Sequence, residues 1–312
     1  MHRISVFLAS AALLFALSCN SAPDSIRIGY VPLSSNLPLF VAMSNGYFAA
    51  RGLKPELVPF QTSNALTEAL VAGNIDAEAG ASTVVTLTVA QTAADRLRVL
   101  LGIVVTPEHS ISAVLVPKDS PVRTVPELRG KRIGCFPGSA IKLFTRLYLT
   151  RLNAYDDNTM LVELPPTLQL QALESGSIDA LLALEPTPTL GAVSGVARTL
   201  DVAPIERELL NPWVGGVYSV GRNYEKAHPE TVEKFTAALR DAVEFIAASS
   251  DSAKKTMSVY TPIRDTAVLK RLPVPTFVMA DRLPAADFQK LADVLAAQGI
   301  LKKPVDVSAL LK

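Results

Sequence analysis

One five-residue string occurs twice and restricts the chain to a duplicated design. Gly73-Asn74-Ile75-Asp76-Ala77 returns as Gly176-Ser177-Ile178-Asp179-Ala180, 103 residues later, and Ile28-Gly29 returns as Ile133-Gly134, 105 residues later. Marks that keep their spacing over a hundred residues signal a repeated supersecondary unit. The patterning between them predicts, in the first copy, a strand at 26–31, a helix at 38–50, a strand at 54–60 and a helix at 64–72. The second copy has the same order at 131–136, 139–152, 160–164 and 167–174. Each copy is a βαβα unit whose next strand opens at the Ile-Asp-Ala. The Gly of each string is expected to end its helix in the left-handed conformation, with Ile in the core and Asp satisfying turn amides, so Asp76 and Asp179 receive no chemical role. Alternating units of this kind predict an α/β fold with mostly parallel sheets, helices on both faces and right-handed crossovers.

The rest of the chain fits around the two copies. Strands are expected at 97–105, 110–116 and 215–221. Pro229 in a first turn, followed by Val232, Phe235, Leu239, Val243 and Ile246 at helical spacing, marks a long helix. Further helices are expected at 251–259 and at 285–298, the latter closed by Gly299. A chain of 312 residues suggests roughly two domains. The expected architecture is two α/β lobes joined by a two-crossover hinge near residues 115 and 212. Lobe one takes residues 26–115 plus 213–312, and lobe two takes 116–212.

The first 18 residues stand apart. Arg3 is their one charged residue, and an apolar run at 4–17 follows it, which is the layout of a secretory signal peptide and is too short to span a bilayer. Ala16-Leu17-Ser18-Cys19 admits two readings: a lipoprotein site with Cys19 acylated, or ordinary cleavage after Ala16-x-Ser18. Residues 19–25 would then form a tether. The whole chain has 30 Lys and Arg against 29 Asp and Glu, and loss of Arg3 brings the mature balance to zero. No basic stripe is available for nucleic acid, so membrane contact is expected only through the lipid anchor. Cys135, in an apolar stretch, reads as a buried core thiol.

Catalytic signatures are missing. Two isolated histidines outside the signal and no cysteine pair give no metal cluster, and the sequence has no nucleophile elbow, Walker A loop or dinucleotide fingerprint. No catalytic residue, metal or cofactor is therefore assigned. Small polar residues instead gather at strand-to-helix transitions: Ser34, Ser35 and Asn36, then Ser82 and Thr83, then Gly138 and Ser139. In α/β sheets ligands lie beyond the carboxyl ends of strands, where helix N-termini offer amides. Each serine could equally be a helix cap. Glu185, at the end of a strand, suits an ammonium, hydroxyl or ring N–H, or is a solvated loop acid. Trp213 can stack on a planar ligand or anchor the hinge. With no Lys or Arg in these loops before Lys142, a multiply charged anion is disfavoured.

Leu37-Pro38-Leu39-Phe40-Val41-Ala42, Gly46-Tyr47-Phe48 and Gly52-Leu53 resemble the opening of the NMT1/THI5-like periplasmic substrate-binding proteins, the sulfonate-, nitrate- and taurine-binding class. The resemblance continues through both Gly-x-Ile-Asp-Ala strings, Glu127-Leu128-Arg129-Gly130-Lys131-Arg132-Ile133, Glu185-Pro186, His228-Pro229-Glu230 and the stretch from Gln298 to Pro304, covering residues 25–310. It implies a type II periplasmic-binding-protein fold, monomeric, that closes on a small-molecule ligand and delivers it to an ABC permease and ATPase complex. Leu184 stands where sulfonate binders of this class often carry an aromatic residue. The superfamily's thiamine-pyrimidine synthases share the fold, but their Cys-rich motif and histidine are missing here. The competing expectation is an exported enzyme or a sensor subunit on the same fold.

Overall fold

The computed structural model describes residues 24–312, apart from residue 262 and the side chain of residue 139. The first copy runs β1 (Asp24–Tyr30), α1 (Leu37–Ser44), β2 (Leu53–Pro59), α2 (Ser63–Ala72), β3 (Ala77–Ser82) and α3 (Thr83–Ala93), and β4 (Leu97–Val105) follows. Next come β5 (Ser112–Pro117) and the second copy: β6 (Arg132–Cys135), α4 (Ser139–Arg151), β7 (Met160–Glu163), α5 (Pro166–Glu174), β8 (Ala180–Leu184) and α6 (Thr187–Ser194). The chain continues through β9 (Ala197–Val202), α7 (Pro204–Glu208), β10 (Trp213–Gly221), α8 (Arg222–Ala227), α9 (Pro229–Ala248), β11 (Thr276–Met279) and a helix at Ala285–Ala297. The expected signal peptide and Cys19 lie outside the described residues. Asp24 and Ser25 already belong to β1, so the proposed tether is shorter than residues 19–25.

The strands form two sheets, ordered β11-β4-β10-β3-β1-β2 and β7-β6-β8-β5-β9. Apart from β11 the two orders are equivalent, each with a parallel trio followed by an antiparallel strand. That antiparallel strand, β10 or β5, lies just past a crossover. Pairing is therefore mixed, where the alternating units alone predicted mostly parallel sheets. All of β5 pairs with β8 and β9, so the first crossover falls within residues 106–111 and not near residue 115. The edge strands β9 and β11 escaped sequence reading because Ala-Arg-Thr-Leu-Asp-Val is half polar and Thr-Phe-Val-Met has only four residues.

The repeated string explains itself in three dimensions. Gly73 and Gly176 adopt φ of +77° and +71° and end α2 and α5. Ile75 and Ile178 then fill space left by Gly29 and Gly134, where an added Cβ would lie 2.5 Å from the isoleucine Cδ1 in both copies. Asp76 accepts from the Arg27 backbone N–H (2.8 Å) and pairs with its guanidinium (2.7 Å), and Asp179 does the same with Arg132 (2.8 and 2.8 Å). The main core runs through the larger sheet and α9, where Phe235 stacks on Phe48, and continues into α4 of the second lobe. A smaller cluster around Leu173, Ile178 and Leu181 lies on the other face of the second sheet.

Candidate functional site

Five strand-to-helix turns and the start of β10 face each other across the gap between the sheets. They enclose a cleft with about 710 Å³ of free space, part of it open to solvent. Ser34, Ser35, Ser82, Gly138, Glu185 and Trp213 all line it. The first lobe supplies a single 3-10 turn, Ser34–Asn36, that leads into α1. Ser34 Oγ donates to the Glu185 carbonyl at 3.3 Å, a contact from one lobe to the other. Ser35 Oγ is buried without a partner, while its carbonyl accepts from Tyr218 Oη at 3.0 Å.

Asn36 and Thr83 do not reach the cleft. Asn36 is fully buried behind the turn, and its amide donates to the Val31 carbonyl. It packs against Gly80, where a Cβ would lie 2.8 Å from Asn36 Oδ1 and 3.0 Å from Ser35 Oγ; with φ of +68° as well, only glycine fits there. Thr83 is fully buried at the first turn of α3. Short polar residues next to one another in a turn alternate in direction, and one-dimensional reading cannot tell which points outward. Ser139 opens α4.

Ser63 and Asn64, at the start of α2, line the cleft although they were not among the expected residues. The signal is in the sequence, since Thr62-Ser63-Asn64 is a small polar turn after a strand, like those at 34–36, 82–83 and 138–139. Asn64 lies against Gly138 of the opposite lobe, with its Oδ1 3.0 Å from where a Gly138 Cβ would stand.

Several amides expected to serve a ligand already have acceptors. Ser82 N–H donates to Ser63 Oγ (3.1 Å), Gly138 N–H to Glu163 Oε1 (2.9 Å), and Asn36 N–H to the Leu33 carbonyl (3.1 Å). Lys142 Nζ pairs with the same Glu163 at 3.0 Å. No Lys, Arg or His lines the cleft among the described residues. Glu185 is 6% exposed, and both of its carboxylate oxygens accept from Thr189, one from Oγ1 (3.0 Å) and one from N–H (3.3 Å). Burial pushes its pKa up to about 7, against the opposing pull of the Thr189 bonds.

Trp213 stands where the cleft meets the junction between the lobes. Its ring lines the cleft and also packs edge-on to Phe144, with centroids 5.1 Å apart. Its Nε1 faces Glu206 Oε1 at 3.5 Å, and Ser112 Oγ donates to Glu206 Oε2 at 2.8 Å. Glu206 therefore connects the residues that follow the two crossovers. Cys135 is a core thiol, pushed up to about 12 mainly by burial. Among the described residues there is no cluster of three His, Cys, Asp or Glu suited to a metal, and no helix long and apolar enough to cross a membrane.

The model of the NMT1-like family matches residues 20–261. A putative aliphatic sulfonates-binding protein of Escherichia coli (strain K12) is 25% identical over 98% of this chain and 95% of its own length. The alkanesulfonate-binding protein SsuA from Xanthomonas axonopodis pv. citri superposes with a TM-score of 0.74 at 26% identity, over 93% of this chain and 98% of that one. The periplasmic aliphatic sulphonate binding protein SsuA from Escherichia coli superposes with a TM-score of 0.70 at 21% identity, over 92% and 96%. These relatives carry the names of binding proteins, not of enzymes.

Proposed function

The chain belongs to the NMT1-like family, and on that footing we propose that it is an extracytoplasmic solute-binding receptor that delivers a small polar organic ligand to an ABC importer. The lobes, residues 26–105 with 213–312 and residues 112–202, close about crossovers at 106–111 and 203–212. One observation carries the reading: Ser34 of the first lobe bonds to the Glu185 carbonyl of the second across a cleft lined by both. A ligand held there touches both lobes at once, so its binding free energy favours the closed form.

Ser34, Ser35, Ser63, Asn64, Ser82, Gly138, Ser139, Glu185 and Trp213 form the ligand shell in this reading, with Asn36 and Thr83 supporting it from behind. In this reading the ligand is released unaltered, in keeping with relatives named as binding proteins. Residues 1–18 act as the export signal, and acylation of Cys19 tethers the receptor at the membrane. The periplasmic name of a relative supports the compartment.

Purified protein is expected to show a higher unfolding midpoint with its ligand. At a hundred times Kd, mass action adds about 2.7 kcal/mol. The radius of gyration from solution scattering should fall at the same time. A screen without any midpoint shift, combined with turnover of a compound in the same screen, would overturn the receptor reading.

A further inference from the structure

Two glycines at the start of β10 narrow one half of the ligand, its apolar body. This step rests on the receptor reading above. Gly215 and Gly216 follow Trp213 closely on the strand and line the cleft with it. Neither takes a positive φ, so the backbone does not demand glycine at either place and the requirement is one of space. A Cβ on Gly215 would stand 3.2 and 3.3 Å from Trp213 Cζ2 and Cη2 and 3.1 Å from Val105 Cγ2. One on Gly216 would stand 3.0 Å from Ile103 Cδ1 and 3.1 Å from the Ala81 carbonyl oxygen. The indole therefore leans along its own strand into the room that a side chain at 215 would take. Phe144 of α4 meets the ring edge-on and Glu206 of α7 faces its Nε1, so contacts from three elements fix its direction.

The second lobe brings Phe136, Ile141 and Leu184 to the same cleft. Apolar wall left in water is unfavourable, and a ligand body that covers it gains in proportion to the area covered. The hydroxyls of the lining are differently placed. Ser34 Oγ donates to the Glu185 carbonyl and Ser63 Oγ accepts from the Ser82 N–H, so protein partners already hold both, while Ser35 Oγ is left for the polar head of a ligand. Between ligands that share a head, selection falls to the apolar wall.

We infer that the cleft selects ligands by an aromatic, ring-sized body that lies against Trp213 and Phe136, and that Gly215 is the positioning residue that sets the indole for it. A ring gains from offset or edge-on contact with a second ring beyond the area it buries, whereas a methyl-sized body leaves most of the wall wet. An aromatic body departs from the aliphatic and alkane bodies in the names of the sulfonate-binding relatives.

Benzenesulfonate and methanesulfonate, benzoate and acetate, and benzamide and acetamide are pairs with one head and two bodies. In isothermal titration of the mature chain, the phenyl member of the pair that binds best is expected to bind at least tenfold more tightly than its methyl partner. Trp213→Leu should lower that ratio, and Gly215→Ala, which pushes the indole from its seat, should lower it too. A general folding defect would weaken both members alike and leave the ratio in place. A ratio below tenfold in the parent, or one unchanged in both variants, overturns the inference and leaves the receptor reading standing. If none of these probes binds, the small molecule extracted from protein purified from its host decides. An extracted ligand that rebinds and has an aromatic ring upholds the inference, one that rebinds without a ring refutes it and keeps the receptor, and an extract that fails to bind refutes both.

Discussion

At the scale of single residues, the least expected group is Glu78, a carboxyl near the start of β3 that is completely buried. Thr67 Oγ1 donates to its Oε2 at 2.8 Å, and Oε1 has no partner. Ser219 stands beside it in register on β10. Burial pushes its pKa up to about 7. Between roughly pH 4.3, the ordinary glutamate value, and 7, the folded chain keeps a proton that the unfolded chain has lost. Stability therefore falls as pH rises through this window, and the full loss is present above it. Glu78→Gln removes the titration and keeps the Thr67 bond. The variant should exceed the parent by on the order of 2 to 3 kcal/mol at pH 8 and match it at pH 4 in urea unfolding. An equal gain at both values would assign the effect to packing.

Among the elements, the decisive contact is between the strand that opens each copy and the strand that closes it. β1 and β3 pair with Ile28 opposite Ala77, and β6 and β8 pair with Ile133 opposite Ala180, which is the same register. The two marks seen in the sequence are thus neighbours in each sheet. Gly134 has no free space above it: a Cβ would lie 2.5 Å from Ile178 Cδ1 and 3.0 Å from Leu181 Cδ1. Gly134→Ala should cost about 1 to 3 kcal/mol by overpacking. Ile178→Val removes the clashing Cδ1, so the double variant is expected to regain at least half of that loss in denaturant unfolding. Additive losses would show that the two positions are not coupled. The Arg27–Asp76 and Arg132–Asp179 pairs sit at the edge of the same contact and are partly exposed, so their contribution to stability is small.

For the molecule as a whole, the first sheet receives β10 and β11 from beyond the second crossover, so lobe one is two runs of sequence placed around the single run, 112–202, that makes lobe two. Glu206 ties this junction by accepting from Ser112 at the start of β5 and facing Trp213 at the start of β10. Glu206→Ala strands both donors. A loss of about 1 to 3 kcal/mol is expected. Trp213 is the only tryptophan, so its fluorescence reports on the junction directly. Emission should move to longer wavelength, with easier quenching by acrylamide. An unchanged spectrum would mean that Phe144 alone holds the ring.

The duplication, the order of strands and helices within each copy, and the helix-ending glycines were legible in the sequence, because they rest on periodicity and on backbone conformations that few residues tolerate. The polar turns were legible as a class for the same reason. What lay beyond the sequence was direction and partnership. Asn36 turns inward while Ser35 beside it meets the cleft, Ser63 joins from a turn that looked no different from its neighbours, and Gly138 gives its amide to Glu163. These outcomes depend on which groups from distant segments arrive within hydrogen-bond reach. Local sequence determined the two α/β units, and tertiary packing decided that Glu185 is buried beside the cleft and that its described lining residues include no Lys, Arg or His, because burial and charge balance depend on which distant segments meet there.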